Sequence, residues 1–281
     1  MEKDKVDINN YPSLKMSKSD DVFGLDIIEK YRKDSFDTYY FNGLPVPRVS
    51  EIIKKCINKE YLIWWAARVG SKNMMTIQNK ATYVGTLAHR KIEHYILTGE
   101  EDFKLSTFDE SIIRQVNTSF KNFKLWLQRL NNAGYKLEKV IATELSVVCP
   151  YYGGTIDLVA QINGAIYIID YKTSTKITYE YILQVCAYMW MINNGYSIKV
   201  PHVNGIGIVR IDKNKYGVHD DYFLNEFIPC QKQILDYNIN AFISMVYSYY
   251  NLINAELQFD QYNERYDFFK VIEKGCVIED D

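Results

Sequence analysis

Two apolar runs, residues 155–161 and 165–171, are separated by little more than the dipeptide Asn163-Gly164. Asn-Gly between such runs is a strong local signal for a tight antiparallel hairpin, because both turn positions need positive φ and these two residues tolerate it. A further strand-like run at residues 140–148 precedes the hairpin, so three consecutive strands make an antiparallel meander. Residues 178–193 then carry a helical pattern stopped by Gly195, and residues 204–212 read as another strand. Strand, helix, strand implies a parallel crossover onto the same sheet. The expected fold class is α/β (α+β), a mixed central sheet with additional N- and C-terminal helices.

The flanking sequence supplies those helices. Residues 38–41 and 45–48, with Asn42-Gly43 between them, predict a short hairpin, after which Ser50 is placed to cap a helix starting at Glu51. Trp64 and Trp65 fall on the next helical segment. The stretch from Gly85 to Glu93 is expected to open a helix, with Thr86 as its cap and Gly99 as its stop. Residues 111–131 place Ile112, Val116, Phe120, Phe123, Leu127 and Leu130 at helical spacing. A long Tyr-rich helix is expected over residues 229–257. The organisation is thus a polar leader (1–37), a main domain (38–270) with its core at about 81–215, and an acidic tail (271–281).

With 281 residues, 47% of them hydrophobic, the chain can bury a sizeable core. No run of about eighteen apolar residues exists, and the start, with Glu2, Lys3, Asp4 and Lys5, lacks the apolar centre of a signal peptide. An intracellular, cytoplasmic protein without membrane contact is expected, in the host cytoplasm if its source is viral. Cys56, Cys149, Cys186, Cys230 and Cys276 are scattered and odd in number, which suggests neither a disulfide framework nor a zinc ribbon. The net charge of −2 means that any nucleic-acid binding must come from a local basic groove.

Chemistry concentrates around the hairpin. Gly154 and Asp157 open the first run, and the second ends in Asp170-Tyr171-Lys172. Strand side chains alternate with period two, so Asp170 and Lys172 share one face. Hydrolysis of a phosphodiester needs hard oxygen ligands for a divalent cation, an activated water, and positive charge opposite the phosphorus. Asp157, Asp170 and Lys172 offer that set. The plainer readings are a turn acid at Asp157 and a surface ion pair at Asp170 and Lys172. Context weighs against them: Asp102-Phe103-Lys104 has the same spacing but follows no apolar strand.

The ordered set Gly85-Thr86-x-x-His89, Glu144, Gly154-x-x-Asp157, Asp170-x-Lys172 and Gln184-x-x-x-Tyr188 resembles the RecB-type branch of the PD-(D/E)XK nuclease superfamily, over roughly residues 40 to 250. That branch includes nuclease domains of recombination helicases, phage-type exonucleases, a CRISPR-associated nuclease family and a mitochondrial genome-maintenance exonuclease. The resemblance implies a restriction-endonuclease-like core and a metal-dependent DNA exonuclease active in recombination, repair or replication. It implies Asp157, Asp170, His89 and the Tyr171 carbonyl as ligands of Mg2+ or Mn2+, with two ions expected, and Lys172 as the residue that orients or helps deprotonate water. Gln184 and Tyr188 are implied to bind the DNA strand or hold Lys172. Glu144 and Glu93 stand open between metal ligand, supporting residue and solvated carboxylate. The scattered cysteines depart from relatives that carry an iron–sulfur cluster, so none is expected. Implied partners are DNA together with a recombinase, an annealing protein or a helicase, and ring-forming relatives make a homo-oligomer compatible with the chain. The alternatives are an endonuclease, or a non-cleaving DNA-binding or assembly module on which Trp64, Trp65 and Tyr188 stack bases.

Overall fold

A computed structural model describes residues 39–57, 64, 67–105, 107–197, 199–217 and 220–265. Expectations for the leader (1–37), Trp65, Cys276 and the tail (271–281) lie outside the described residues. A small hairpin, β1 (Tyr39–Phe41) and β2 (Leu44–Val46), leads into α1 (Val49–Cys56). Two long helices follow, α2 (Ser71–Thr98) and α3 (Glu110–Asn132). The meander β3 (Leu137–Val148), β4 (Gly153–Ile162) and β5 (Ala165–Lys172) comes next, then α4 (Tyr179–Asn193), β6 (Gly205–Arg210), β7 (Asp221–Asn225) and α5 (Pro229–Arg265).

The central sheet has the order β3-β4-β5-β6-β7, antiparallel except for the parallel β5–β6 pair that α4 connects. The β4–β5 turn is the expected one: Asn163 and Gly164 both have positive φ, 48° and 79°. Alternation along β5 divides the core. Ile168 packs with α1, α4 and α5 on one face of the sheet, while Ile169 and Tyr171 pack with Ile92 of α2 and Phe120, Phe123 and Trp126 of α3 on the other. Both faces are covered, as a sheet with a parallel pair requires.

Several boundaries differ from the sequence expectation. Helix α1 begins at Val49, not at Glu51, and Ser50 does not cap it; instead the Glu51 carboxylate accepts a hydrogen bond from the Arg48 N–H at 3.5 Å. Helix α2 starts fourteen residues before Gly85, so Gly85 and Thr86 are internal, and the Thr86 hydroxyl donates to the Thr82 carbonyl. Gly85 faces the loop leaving β5, where a Cβ would make an ordinary contact at 3.4 Å with Oγ1 of Thr173. Gly99 does close the helix, in the left-handed conformation at φ 75°. Strand β7, a short edge element, and the last two turns of α5 were not expected. No helix among the described residues is long and apolar enough to cross a membrane.

Candidate active site

The site forms where β4 and β5 part. Their ladder ends at the pair Leu158–Ile169, and beyond it the N–H of Tyr171 has no strand partner; it donates instead to Oδ2 of Asp157 at 2.7 Å. A side-chain carboxylate thus takes over from the backbone at the point where the strands splay. Across from Asp157 in the β3–β4 register lies Glu144, whose φ of +44° is unusual for a residue with a side chain. Such a conformation costs of the order of 1–3 kcal/mol and persists only where the surroundings impose it. The alternation of β4 breaks here too, since Ile156 and Val159 belong to one core and Leu158 to the other.

From the opposite side, α2 brings His89 in. Its Nδ1 lies 3.3 Å from Oδ1 of Asp157. Burial disfavours the imidazolium, but the Asp157 carboxylate prevails and lifts the histidine to about 9. Asp157 is held below its ordinary value: burial opposes ionisation, and His89 and then Lys172 more than compensate. Nitrogen and oxygen atoms of His89, Glu144 and Asp157 lie within 4.8 Å of one another. Two carboxylates and one imidazole make a donor set suited to a hard divalent ion, with the nitrogen favouring Mn2+ more than an all-oxygen site would. Burial and then the charge of Asp157 push the Glu144 carboxyl up to about 7. Glu93, one turn beyond His89, accepts a hydrogen bond at 3.4 Å from the Thr143 hydroxyl beside Glu144.

Asp170 and Lys172 share a face of β5, as their spacing requires, and meet there: Nζ of Lys172 lies 2.7 Å from Oδ2 and donates to Oδ1 at 3.0 Å. Asp170 is almost wholly buried, and burial pushes it up to about 6 despite the lysine. For Lys172, burial works against the charge, but Asp170 and Asp157 win and raise the ammonium above its ordinary value. The lysine also donates to Oε1 of Gln184 at 3.0 Å, and its charge sits 4.7 Å from the ring centre of Tyr181. Gln184 in turn donates from Nε2 to the Tyr188 hydroxyl at 2.9 Å. Gln184 and Tyr188 are one helical turn apart on α4, and the Tyr188 ring lies against Gly154, where a Cβ would come within 2.4 Å of it. The glycine of Gly154-x-x-Asp157 thus makes room for the tyrosine of the Gln184-x-x-x-Tyr188 pair.

All the expected residues therefore gather at one end of the sheet, in two groups. His89, Glu144, Asp157 and Glu93 line the α2 side; Asp170, Lys172, Gln184 and Tyr188 form a chain of contacts on the α4 side. The Tyr171 side chain packs into the α3 core against Phe123 and Trp126 and meets the His89 ring edge-on, while its backbone N–H faces Asp157. Asp102-Phe103-Lys104 lies outside any strand, in the connection between α2 and α3. Sequence reasoning missed Tyr181, although its place three residues before Gln184 on the same helix was a usable signal. It also missed Tyr39, whose hydroxyl lies 2.8 Å from that of Thr155; nothing local links residues so far apart in sequence.

A mixed five-stranded sheet between helices, with an acid–acid–lysine set at one sheet end, defines a nuclease-like α/β protein. The chain belongs to the PD-(D/E)XK nuclease superfamily, whose profile matches residues 62–264. Among solved structures, the chain is similar to one described as the crystal structure of SSO0001, at 15% identity over 58% of this chain and 74% of that one, with a TM-score of 0.24. No curated protein matches the chain. Membership supports nuclease activity with divalent metal in general.

Proposed function

We propose that this protein is a Mg2+- or Mn2+-dependent DNA exonuclease that processes DNA ends in recombination, repair or replication. The observation that carries the nuclease reading is the convergence of Asp157, Asp170 and Lys172 at the splayed end of β4 and β5, with His89 alongside. The exonuclease mode rests on the resemblance of the ordered motifs to the RecB-type branch. Asp157, Asp170 and His89 would hold the metal, and Glu144 is within reach of the same position. An extended residue turns its N–H and C=O to the same edge, so the Tyr171 carbonyl faces the Asp157 side and would be a further ligand. When bound, the cation polarises the phosphodiester and makes a water more acidic.

The protein's own groups account for the rest. Lys172 would orient the attacking water or help deprotonate it, and would offset negative charge growing on the phosphate. Asp170 and Gln184 fix the ammonium from two directions, and Tyr188 fixes Gln184. Held in this way, the charge needs little reorganisation as the reaction proceeds. The test is release of labelled nucleotides from linear and circular DNA with Mg2+, Mn2+ or EDTA, for the wild type and for Asp170→Asn. Loss of linear DNA alone, requiring metal and abolished by D170N, is expected. Cutting of circles would replace the exonuclease with an endonuclease, and tight DNA binding without any cutting would replace both with a binding module.

A further inference from the structure

The first three turns of α2 are largely exposed, with Lys80 reaching the Ser111 hydroxyl of α3. Of residues 72–83 only Met74 and Ala81 are even half-buried. Further along the same helix, Val84, Leu87, Ala88 and Ile92 turn inward, which fixes its outer face. Lys72, Met75, Asn79, Tyr83, Thr86 and Arg90 are all exposed and follow one another at intervals of three or four, so they form one row on that outer face. At 1.5 Å per residue the row is about 27 Å long. It ends beside His89, whose ring reaches Asp157.

Two properties of the row point to an occupant. The first is charge. Residues 61–92 contain Arg68, Lys72, Lys80, Arg90 and Lys91 and no Asp or Glu, in a chain whose net charge is −2. Lys91 is buried and donates to Asn117, and Lys80 donates to the Ser111 hydroxyl of α3 on the side of the helix that carries Val84 and Leu87, whereas Arg68, Lys72 and Arg90 are exposed, the last two within the row. The second is exposed apolar surface within the row, at Met75 and Tyr83. A cationic face without acids repels a second copy of itself. A duplex presents phosphates and keeps its bases stacked inside, so the apolar groups would find no partner on it. A single strand offers both phosphates for the cations and base faces for the apolar side chains.

We infer that the outer face of α2 is a docking track for single-stranded DNA that leads the strand to the Asp157–Asp170 site. This rests on the nuclease reading for what happens at the end of the track, but the track itself is tested by binding alone. The full chain would be titrated against fluorescent dT20 and a 20-base-pair duplex in EDTA over a series of NaCl concentrations, as wild type, Lys72→Glu/Arg90→Glu and Met75→Ser. Each phosphate contact on a single strand contributes about 0.7 to the slope of log affinity against log salt. The charge-reversal variant should therefore lose about 1.4 or more of that slope and tenfold or more of its dT20 affinity, with a much smaller loss on the duplex. Met75→Ser should weaken dT20 binding several-fold at unchanged slope.

Affinity and slope within twofold of wild type in the charge-reversal variant would overturn the inference. So would an equal loss on duplex, or displacement of dT20 by poly-glutamate as readily as by oligonucleotide. Mn2+-dependent hydrolysis of thymidine 5′-(p-nitrophenyl phosphate), which needs the site but not the track, should be the same in all three proteins. If the wild type hydrolyses neither this ester nor DNA, the nuclease reading fails while the binding result still decides the track.

Discussion

Replacing Gly154 by alanine tests how the glycine motif of β4 is coupled to the lysine of β5. A Cβ at position 154 would lie 2.4 Å from Cε1, 2.7 Å from the hydroxyl oxygen and 2.9 Å from Cζ of Tyr188. Carbon atoms rest about 3.5–4.0 Å apart, so the ring must retreat by more than about 1 Å. It has nowhere free to go, since Tyr188 is only 3% exposed within the core around α4. Overpacking of this kind costs about 1–3 kcal/mol. Loss of the 2.9 Å bond from Gln184 adds about 0.5–1.5 kcal/mol, and the gain from replacing a strand glycine offsets about 0.5–1 kcal/mol. A net destabilisation of about 1–3 kcal/mol follows. Urea denaturation of the wild type, Gly154→Ala, Tyr188→Leu and the double variant measures it. The double variant should be more stable than the sum of the two single losses by about 1 kcal/mol or more, because Tyr188→Leu removes the ring that the added methyl group strikes. Tyr188→Phe should give no such rescue, because the clashing edge of the ring remains. Strict additivity, or a G154A protein as stable as the wild type, would refute the coupling.

Further expectations concern charge and anchoring. Glu144 is held at about 7 against an ordinary 4.5, so the folded state binds its proton more tightly than the unfolded state. Its contribution is full below about pH 4.5 and is lost as the pH rises through about 7. In EDTA, the stability of wild type relative to Glu144→Gln should therefore fall by about 1 kcal/mol between pH 5 and pH 8, after allowing for the solvent exposure of this half-buried group; a flat difference in thermal melts would contradict this. Lys172→Met removes the cation beside the buried Asp170, whose carboxyl should then titrate above its present value of about 6. The folded state again gains the proton, so this variant should lose stability more steeply than wild type as pH rises from 5 to 8, and its DNA cleavage should fall by at least a hundredfold. Asn122 is buried and ties down the loop after β6, donating to the carbonyls of Asp212 and Lys215 at 2.8 Å each and accepting from the Gly217 N–H at 2.9 Å. Asn122→Ala should cost about 2–4 kcal/mol in denaturant titrations and leave hydrolysis of a small phosphodiester unchanged.

The parts of the fold legible from the sequence were those written locally. The Asn163-Gly164 turn, the stop at Gly99 and the helical spacing of residues 111–131 each carry their own signal within a few residues. The start of α2 did not. Gly85 and Thr86 look like a boundary, but both are internal to the helix, whose start at Ser71 has no side-chain cap to announce it. Strand β7 escaped because five edge residues with little alternation give almost no periodic signal. At the site, the period-two rule placed Asp170 beside Lys172, and helical spacing placed Gln184 beside Tyr188. What sequence could not supply was the join between these pairs, from Lys172 to Gln184, nor the left-handed backbone at Glu144, which depends on strands pairing across the sheet.

The substitution of the Asp157 carboxylate for a strand carbonyl makes the Tyr171 amide a reporter of the site. A carboxylate drawn toward a cation has less of its electron density left for that N–H, and one drawn away altogether leaves the amide open to water. The exchange rate of this single proton with solvent therefore reads out what Asp157 is bound to, without substrate, turnover or label. It also means that removing the acid is never a purely chemical change. Asp157→Ala would unfasten the last tie between two central strands, whereas Asp170→Asn leaves that tie in place and loosens only the hold on Lys172.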